Sequence, residues 1–178
     1  MKYKKLRRGF TLIELMVVIA IIGILAFLEG ADVSKSGEGR DLDTAKTKIM
    51  TFMRGISDKS FETGNVYEIN FEFDKYRIVA KKDEKIIDSI TVPKRFEYRD
   101  VNWNNNFNRK TTSLGNISKS LSIFIIDKKN SKFCARATFL NMSSVHYMGI
   151  SLYAPTDKLT FEKKDYSDTN NWKRLSWN

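Results

Sequence analysis

Between Phe10 and Leu28 the sequence reads FTLIELMVVIAIIGILAFL, nineteen residues whose only charge is Glu14. As an α-helix rising 1.5 Å per residue, this run is about 28 Å long, close to the ~30 Å hydrocarbon core of a bilayer. It follows MKYKKLRRG, which holds five cations (Lys2, Lys4, Lys5, Arg7 and Arg8) and no acid. The positive-inside rule predicts that this leader stays cytoplasmic and that the rest of the chain lies across the membrane. An ordinary cleaved signal peptide explains the segment poorly. The apolar run exceeds the usual ~7–15 residues, and Glu29-Gly30-Ala31-Asp32 offers no small-x-small cleavage site. A plain uncleaved anchor accounts for the length but not for Glu14, since a carboxylate within a span costs roughly 2.5–3.5 kcal/mol on insertion scales.

A third reading accounts for every feature. Gly9-Phe10-Thr11-Leu12-Ile13-Glu14 resembles the processing site of type IV prepilins and of the pseudopilins of type II secretion. In that family a short basic leader ends in Gly, and Phe-Thr-Leu-Ile-Glu opens a long apolar helix. The resemblance implies that a prepilin peptidase cuts between Gly9 and Phe10 and that Phe10 is then N-methylated. It implies as partners that peptidase/methyltransferase, membrane lipid, an inner-membrane assembly platform and other pilins in a helical filament. It also implies a single-pass protein of the cytoplasmic membrane, with its head outside the cytoplasm, that later joins a periplasmic or surface filament. A physical reason for Glu14 stands beside the resemblance. Cleavage leaves a cationic amine at Phe10, and Glu14 lies one helical turn later. In a low dielectric an unpaired amine and an unpaired carboxylate are each costly, and pairing them offsets much of that cost. Glu14 of one subunit meeting the amine of a neighbour would set the axial register of a fibre.

Beyond the apolar run, residues 29–41 hold three glycines and two serines, poor helix material, and we expect a hinge or an exposed linker there. Leu42, Ala45, Ile49, Phe52, Met53 and Ile56 form one helical stripe, predicting an amphipathic helix over 42–58 that ends in the Ser57–Ser60 cluster and Gly64-Asn65. From Val66 the period changes to two. Strands are predicted at Val66–Phe73, from Tyr76 to Ala80, at Ile86–Val92, at Arg95–Arg99 on an edge, and at Leu121–Ile126, Lys132–Leu140 and His146–Tyr153. Leu159–Phe161 would add a short last strand. Residues 102–116, rich in Asn, read as a surface loop, and the tail from Lys163 as irregular, with Trp172 and Trp177 as anchors. The expected fold is α+β: a long N-terminal helix followed by an antiparallel β head over 65–178. This layout is similar to many pilins and pseudopilins, and the two-part β region resembles the H-type minor pseudopilins.

The residues supply little for catalysis. No Gly-rich phosphate loop, HExxH or GxSxG occurs, and the lone His146 lies in a strand pattern. Asp83-Glu84 reads as a solvated turn. No metal or cofactor is expected: no Ca²⁺ ligand run is evident, and a single cysteine, Cys134, forms no internal disulfide and reads as a small buried hydrophobe or a reactive thiol. The formal charge of +10 raises nucleic acid as a partner. Basic clusters occur at Lys81, Lys82 and Lys85; at Lys94, Arg95 and Arg99; at Lys128, Lys129 and Lys132; and at Lys163, Lys164, Lys173 and Arg174 beside Trp172, the last being the candidate DNA contacts. Removing Met1–Gly9 takes away five cations and no acid, leaving 26 basic and 21 acidic side chains, a net of +5 over 169 residues. Half the basic excess therefore belongs to the leader. The expectation is a structural, non-enzymatic subunit, a minor pilin or pseudopilin. A DNA-binding minor pilin of an uptake pilus and a plain anchored protein are the alternatives.

Overall fold

The computed structural model describes residues 12–142, 147–156 and 168–175. One long helix, α1 (Leu12–Thr63), is followed by nine strands. These are β1 (Glu68–Glu72), β2 (Arg77–Lys82), β3 (Lys85–Thr91), β4 (Phe96–Arg99), β5 (Asn106–Lys110), β6 (Leu121–Asp127), β7 (Phe133–Leu140), β8 (Gly149–Pro155) and β9 (Trp172–Arg174). The α+β class expected from the sequence is the one observed. The chain divides into an N-terminal unit, Met1–Arg40, and a head, Asp41–Asn178.

The helix departs from expectation twice. It runs without a break through Gly30, Gly37 and Gly39, where the glycines predict an interruption. Each Gly costs about 1 kcal/mol against Ala, whereas a break would require a second, costly nucleation, so a long helix propagates across a weak stretch. It also passes the Ser57–Ser60 cluster and stops at Thr63, with Gly64 at φ +65°, the left-handed position that follows many helix ends. The serines stay helical because the head supplies partners for their hydroxyls. Ser57 donates to Gly115 O, and Ser60 Oγ lies 2.8 Å from both Thr112 O and Thr111 Oγ1.

The strands form two antiparallel sheets, one in the order β3-β2-β1-β5 and the other β4-β6-β7-β8-β9. We call them sheet A and sheet B. The chain enters sheet B at β4, returns to sheet A at β5 and then stays in sheet B. The expected loop over 102–116 is thus corrected: it contains β5, paired along its whole length with β1 from Glu68↔Lys110 to Glu72↔Asn106. Phe107 is its inward anchor, stacked on Phe71 at 4.5 Å between ring centroids. The reversal before it is an Asx turn in which Asp100 Oδ1 accepts from the backbone N–H of Asn102 (2.9 Å) and Asn104 (2.7 Å). The tail is corrected as well, because Trp172–Arg174 pairs with β8 as β9. The predicted strand at Leu159–Phe161, Trp177 and His146 lie outside the described residues.

The α1 stripe predicted from the sequence is the centre of the head. Ala45, Ile49, Phe52, Met53 and Ile56 are buried in one core with Ile69 and Phe71 of β1, Ile78 of β2, Tyr98 of β4, and the inward residues of β6 and β7. Strand β6 is buried at all seven positions. One face meets this core. The other carries Phe124 and Ile126 into a second, smaller cluster with Phe133 and Trp172.

Candidate functional site

The N-terminal unit carries the feature that most needs a partner. Ile13, Leu15, Met16, Val17, Val18, Ile19, Ile21 and Ile22 are between 46% and 73% exposed. Leu15 to Ile19 are consecutive, so they point in all directions around the helix axis, and no polar side remains for water. At about 1.5–3 kcal/mol for each large apolar side chain removed from water, covering these eight would gain on the order of 10–20 kcal/mol. A surface of this kind is either in lipid or packed among other helices. Among the described residues no helix is long and apolar enough to cross a membrane; the described side chains of the apolar run end at Ile22.

The sequence-predicted processing residues fall largely outside what the structure describes. Lys2, Lys4, Lys5, Arg7, Arg8, Gly9 and Phe10 precede the described residues, and Glu14 lies in the first turn of α1 with its side chain outside them.

In the head, Arg95, Arg99 and Lys128 of the basic clusters are engaged internally, while Lys85, Lys94, Lys129 and Lys132 are exposed. Arg95 Nη2 pairs with Asp127 Oδ2 at 2.9 Å, and Arg99 Nε donates to Glu97 Oε1 at 2.6 Å. Lys128 Nζ lies over the Tyr76 ring at 4.3 Å from its centroid and donates to Lys94 O at 2.6 Å. Burial pushes the Asp127 carboxyl upward, but hydrogen bonds from Arg95 and from the backbone of Lys129 and Asn130 outweigh it, leaving the group below the usual carboxylate range. Glu72 is held low mainly by its hydrogen bond from Arg77 Nε, 2.7 Å away. Trp172, expected as a stacking surface beside Lys173 and Arg174, is instead 7% exposed. Its ring lies 5.6 Å from Phe124 and 5.8 Å from Phe133, so it closes the small cluster rather than meeting solvent. Lys173 and Arg174 are exposed on β9, and Lys163 and Lys164 lie outside the described residues.

Cys134 is half-buried against the main core, its thiol donating to Lys132 O at 3.6 Å. Among the described residues no group of three or more His, Cys, Asp or Glu side chains converges as metal ligands would. The feature that sequence reasoning missed is an aromatic-lined arginine, Arg136, in β7. Its signal lies only in the strand register, which no local pattern displays.

The apolar helix start decides the comparison with known proteins. The family description "prokaryotic N-terminal methylation motif" matches residues 4–28. The chain is therefore similar to prepilins in its N-terminal segment. It is also similar to the type II secretion system protein H of Pseudomonas aeruginosa, with 31% identity over 78 residues. That match covers 44% of this chain and 45% of the relative, so the chain spans under half the length of the curated relative it matches. No solved structure matches it.

Proposed function

We propose that this chain is a minor, H-type subunit of a type II secretion or type IV pilus-like filament. It would be made as a membrane-anchored precursor and cut by a prepilin peptidase between Gly9 and Phe10. One observation carries the reading: the methylation motif at residues 4–28 opens a helix whose described apolar side chains are exposed on every side. That helix would serve twice, first as anchor in the bilayer and then as a strut in the apolar centre of a fibre. The leader cations hold the N-terminus in the cytoplasm and the head is exported. Glu14 pairs with the methylated amine of Phe10, on its own or a neighbouring subunit, as a carboxylate in an apolar setting requires. The glycines at 30, 37 and 39 make that stretch of α1 the place where the helix yields most easily, so it acts as the hinge between anchor and head. The polar and charged surfaces of the head supply contacts to other subunits.

The test is mass spectrometry of the chain purified from cells that possess the peptidase. A mature chain beginning at N-methyl-Phe10 is the expected result. An intact Met1 leader in those cells overturns the reading. A DNA-binding role gains no support from the head, where Trp172 is enclosed and Arg95, Arg99 and Lys128 are already engaged.

A further inference from the structure

Residues directly opposite one another in adjacent antiparallel strands share a face of the sheet. In sheet B the register Arg99↔Phe124↔Arg136↔Tyr153↔Arg174 therefore sets guanidinium and ring alternately along one line across five strands. At about 4.8 Å between strands this row is roughly 19 Å long. Its end Arg99 is paired with Glu97. Its centre, Arg136, differs. The guanidinium carbon lies 5.6 Å from the Phe124 centroid, 5.5 Å from Tyr153 and 5.9 Å from Trp172, and Nε donates to Ser122 Oγ at 3.3 Å. Among the described residues no carboxylate pairs with it, whereas Arg77, Arg95 and Arg99 each hold one. Arginine has five N–H donors in a planar fork that matches a carboxylate, and among the described residues Ser122 takes one of them. Burial also lowers the Arg136 pKa, with no charge from a described carboxylate opposing it.

Beside Arg136 is a cavity of about 250 Å³ bordered by Ser120, Ser122, Thr138 and the aliphatic Val101 and Leu140. Val101 and Leu140 are 39% and 41% exposed at its mouth. The volume falls below the ~300–1,000 Å³ of small-molecule sites and leaves room for an acidic side chain with part of its neighbour. Cation, hydroxyls and aliphatic rim together describe an acidic side chain on a short methylene stem. We propose that this cavity receives an aspartate or glutamate side chain from a neighbouring filament subunit, gripped by the Arg136 fork and covered by Val101 and Leu140. The rings around Arg136 hold the fork in place before the partner arrives, which lowers the ordering cost of docking. Arg136 and the exposed Arg174 draw an acidic surface toward the site. Nucleic acid suits the site less, because Phe124 and Trp172 are 1% and 7% exposed and Tyr153 is half-buried, so the row offers little ring face to a base.

The neighbour rests on the filament reading, but the chemistry of the cavity does not. The test uses the full chain in detergent micelles and follows the arginine Nε–H signals by NMR. The probe is N-acetyl-Leu-Glu-Leu-amide, with its Gln counterpart as control. The Arg136 signal should move saturably at millimolar Glu peptide and at least tenfold less with the Gln peptide, while the Arg95 signal stays still. Leu140→Asp, at an exposed position, places a carboxylate at the mouth and should abolish the response without unfolding the head. Equal response to both peptides, no response, or saturation by an oligo-dT strand instead overturns the proposal. In cells, Arg136→Gln should reduce recovery of the chain with filament subunits severalfold; wild-type recovery together with intact peptide binding overturns the assignment to a neighbouring subunit. An unprocessed leader would sink the filament reading and leave the peptide titration as it is, so the two failures are separable.

Discussion

The division of α1 into two functions can be tested with two isoleucines on one helix. Ile49 is fully buried in the core of the head, whereas Ile19 is 61% exposed in the N-terminal unit. Ile49→Ala removes three carbons. At about 0.8 kcal/mol per buried methylene the transfer loss is about 2.4 kcal/mol, and a partly relaxed cavity brings the total to about 3–4 kcal/mol, within the range for such truncations. For a head of 138 residues, roughly 3–5 °C of Tm is lost per kcal/mol, so the drop should be about 10–15 °C. Ile19→Ala should leave the Tm of the head unchanged and instead reduce recovery of the protein in filaments. Thermal melts of the full chain in detergent, followed by near-ultraviolet circular dichroism, read the first effect. Co-purification with pilin subunits reads the second. A loss below ~1 kcal/mol for Ile49→Ala would mean that the stripe is not the core. An equal loss of head stability for Ile19→Ala would mean that the helix is not divided in this way.

Three further outcomes are expected. Glu14→Ala should still insert in the membrane, seen by carbonate-resistant fractionation, but should fail to assemble; assembly at wild-type level would refute the pairing of Glu14 with the Phe10 amine. Asp127 and Glu72 have lowered folded-state pKa values, so the unfolded chain binds more protons as pH falls through about 4. Their stabilisation is full above that point and is lost below it, and Asp127→Asn should flatten the acid limb of a denaturation curve measured from pH 6 to 2. The β2–β3 turn holds Asp83 and Glu84 at φ +48° and +63°, a left-handed pair that glycine adopts without strain. Glu84→Gly should therefore raise stability by about 0.5–1 kcal/mol in urea melts, and a loss would show that the turn is not strained.

Where one physical effect dominates, the sequence is transparent. The stripe from Ala45 to Ile56 and the alternation of Tyr67, Ile69 and Phe71 each announce their buried face, because burial on one side outweighs every other preference in their placement. The three-residue β9 is too short to show a period. Strand β5 is harder to see because Asn106 and Asn108 are poor strand formers and Phe107 is its one apolar residue. Tertiary pairing with β1 overrides local preference there. The helix through Gly30 to Gly39 hides for the opposite reason, since cooperativity carries it across residues that would not form a helix alone. The prepilin-like N-terminus is legible because its exposed residues are unlike any ordinary surface. Arg136 was not legible, because its surroundings come from strands distant in sequence, with Phe124, Tyr153 and Trp172 meeting it only through sheet register.

The excursion of the chain from sheet A to sheet B at β4 and back at β5 also governs the order in which the head can form. The pair Glu68↔Lys110 closes only after the β4 segment, which belongs to the other sheet, has already been passed. Neither sheet is then an independent folding block, and much of the loop-closure entropy must be met before either is complete. A head built this way should acquire its structure in one late, concerted step once the chain through β6 is available. A single nick between Val101 and Asn105 would place the two partners of one pairing in each sheet, β1–β5 and β4–β6, on separate fragments.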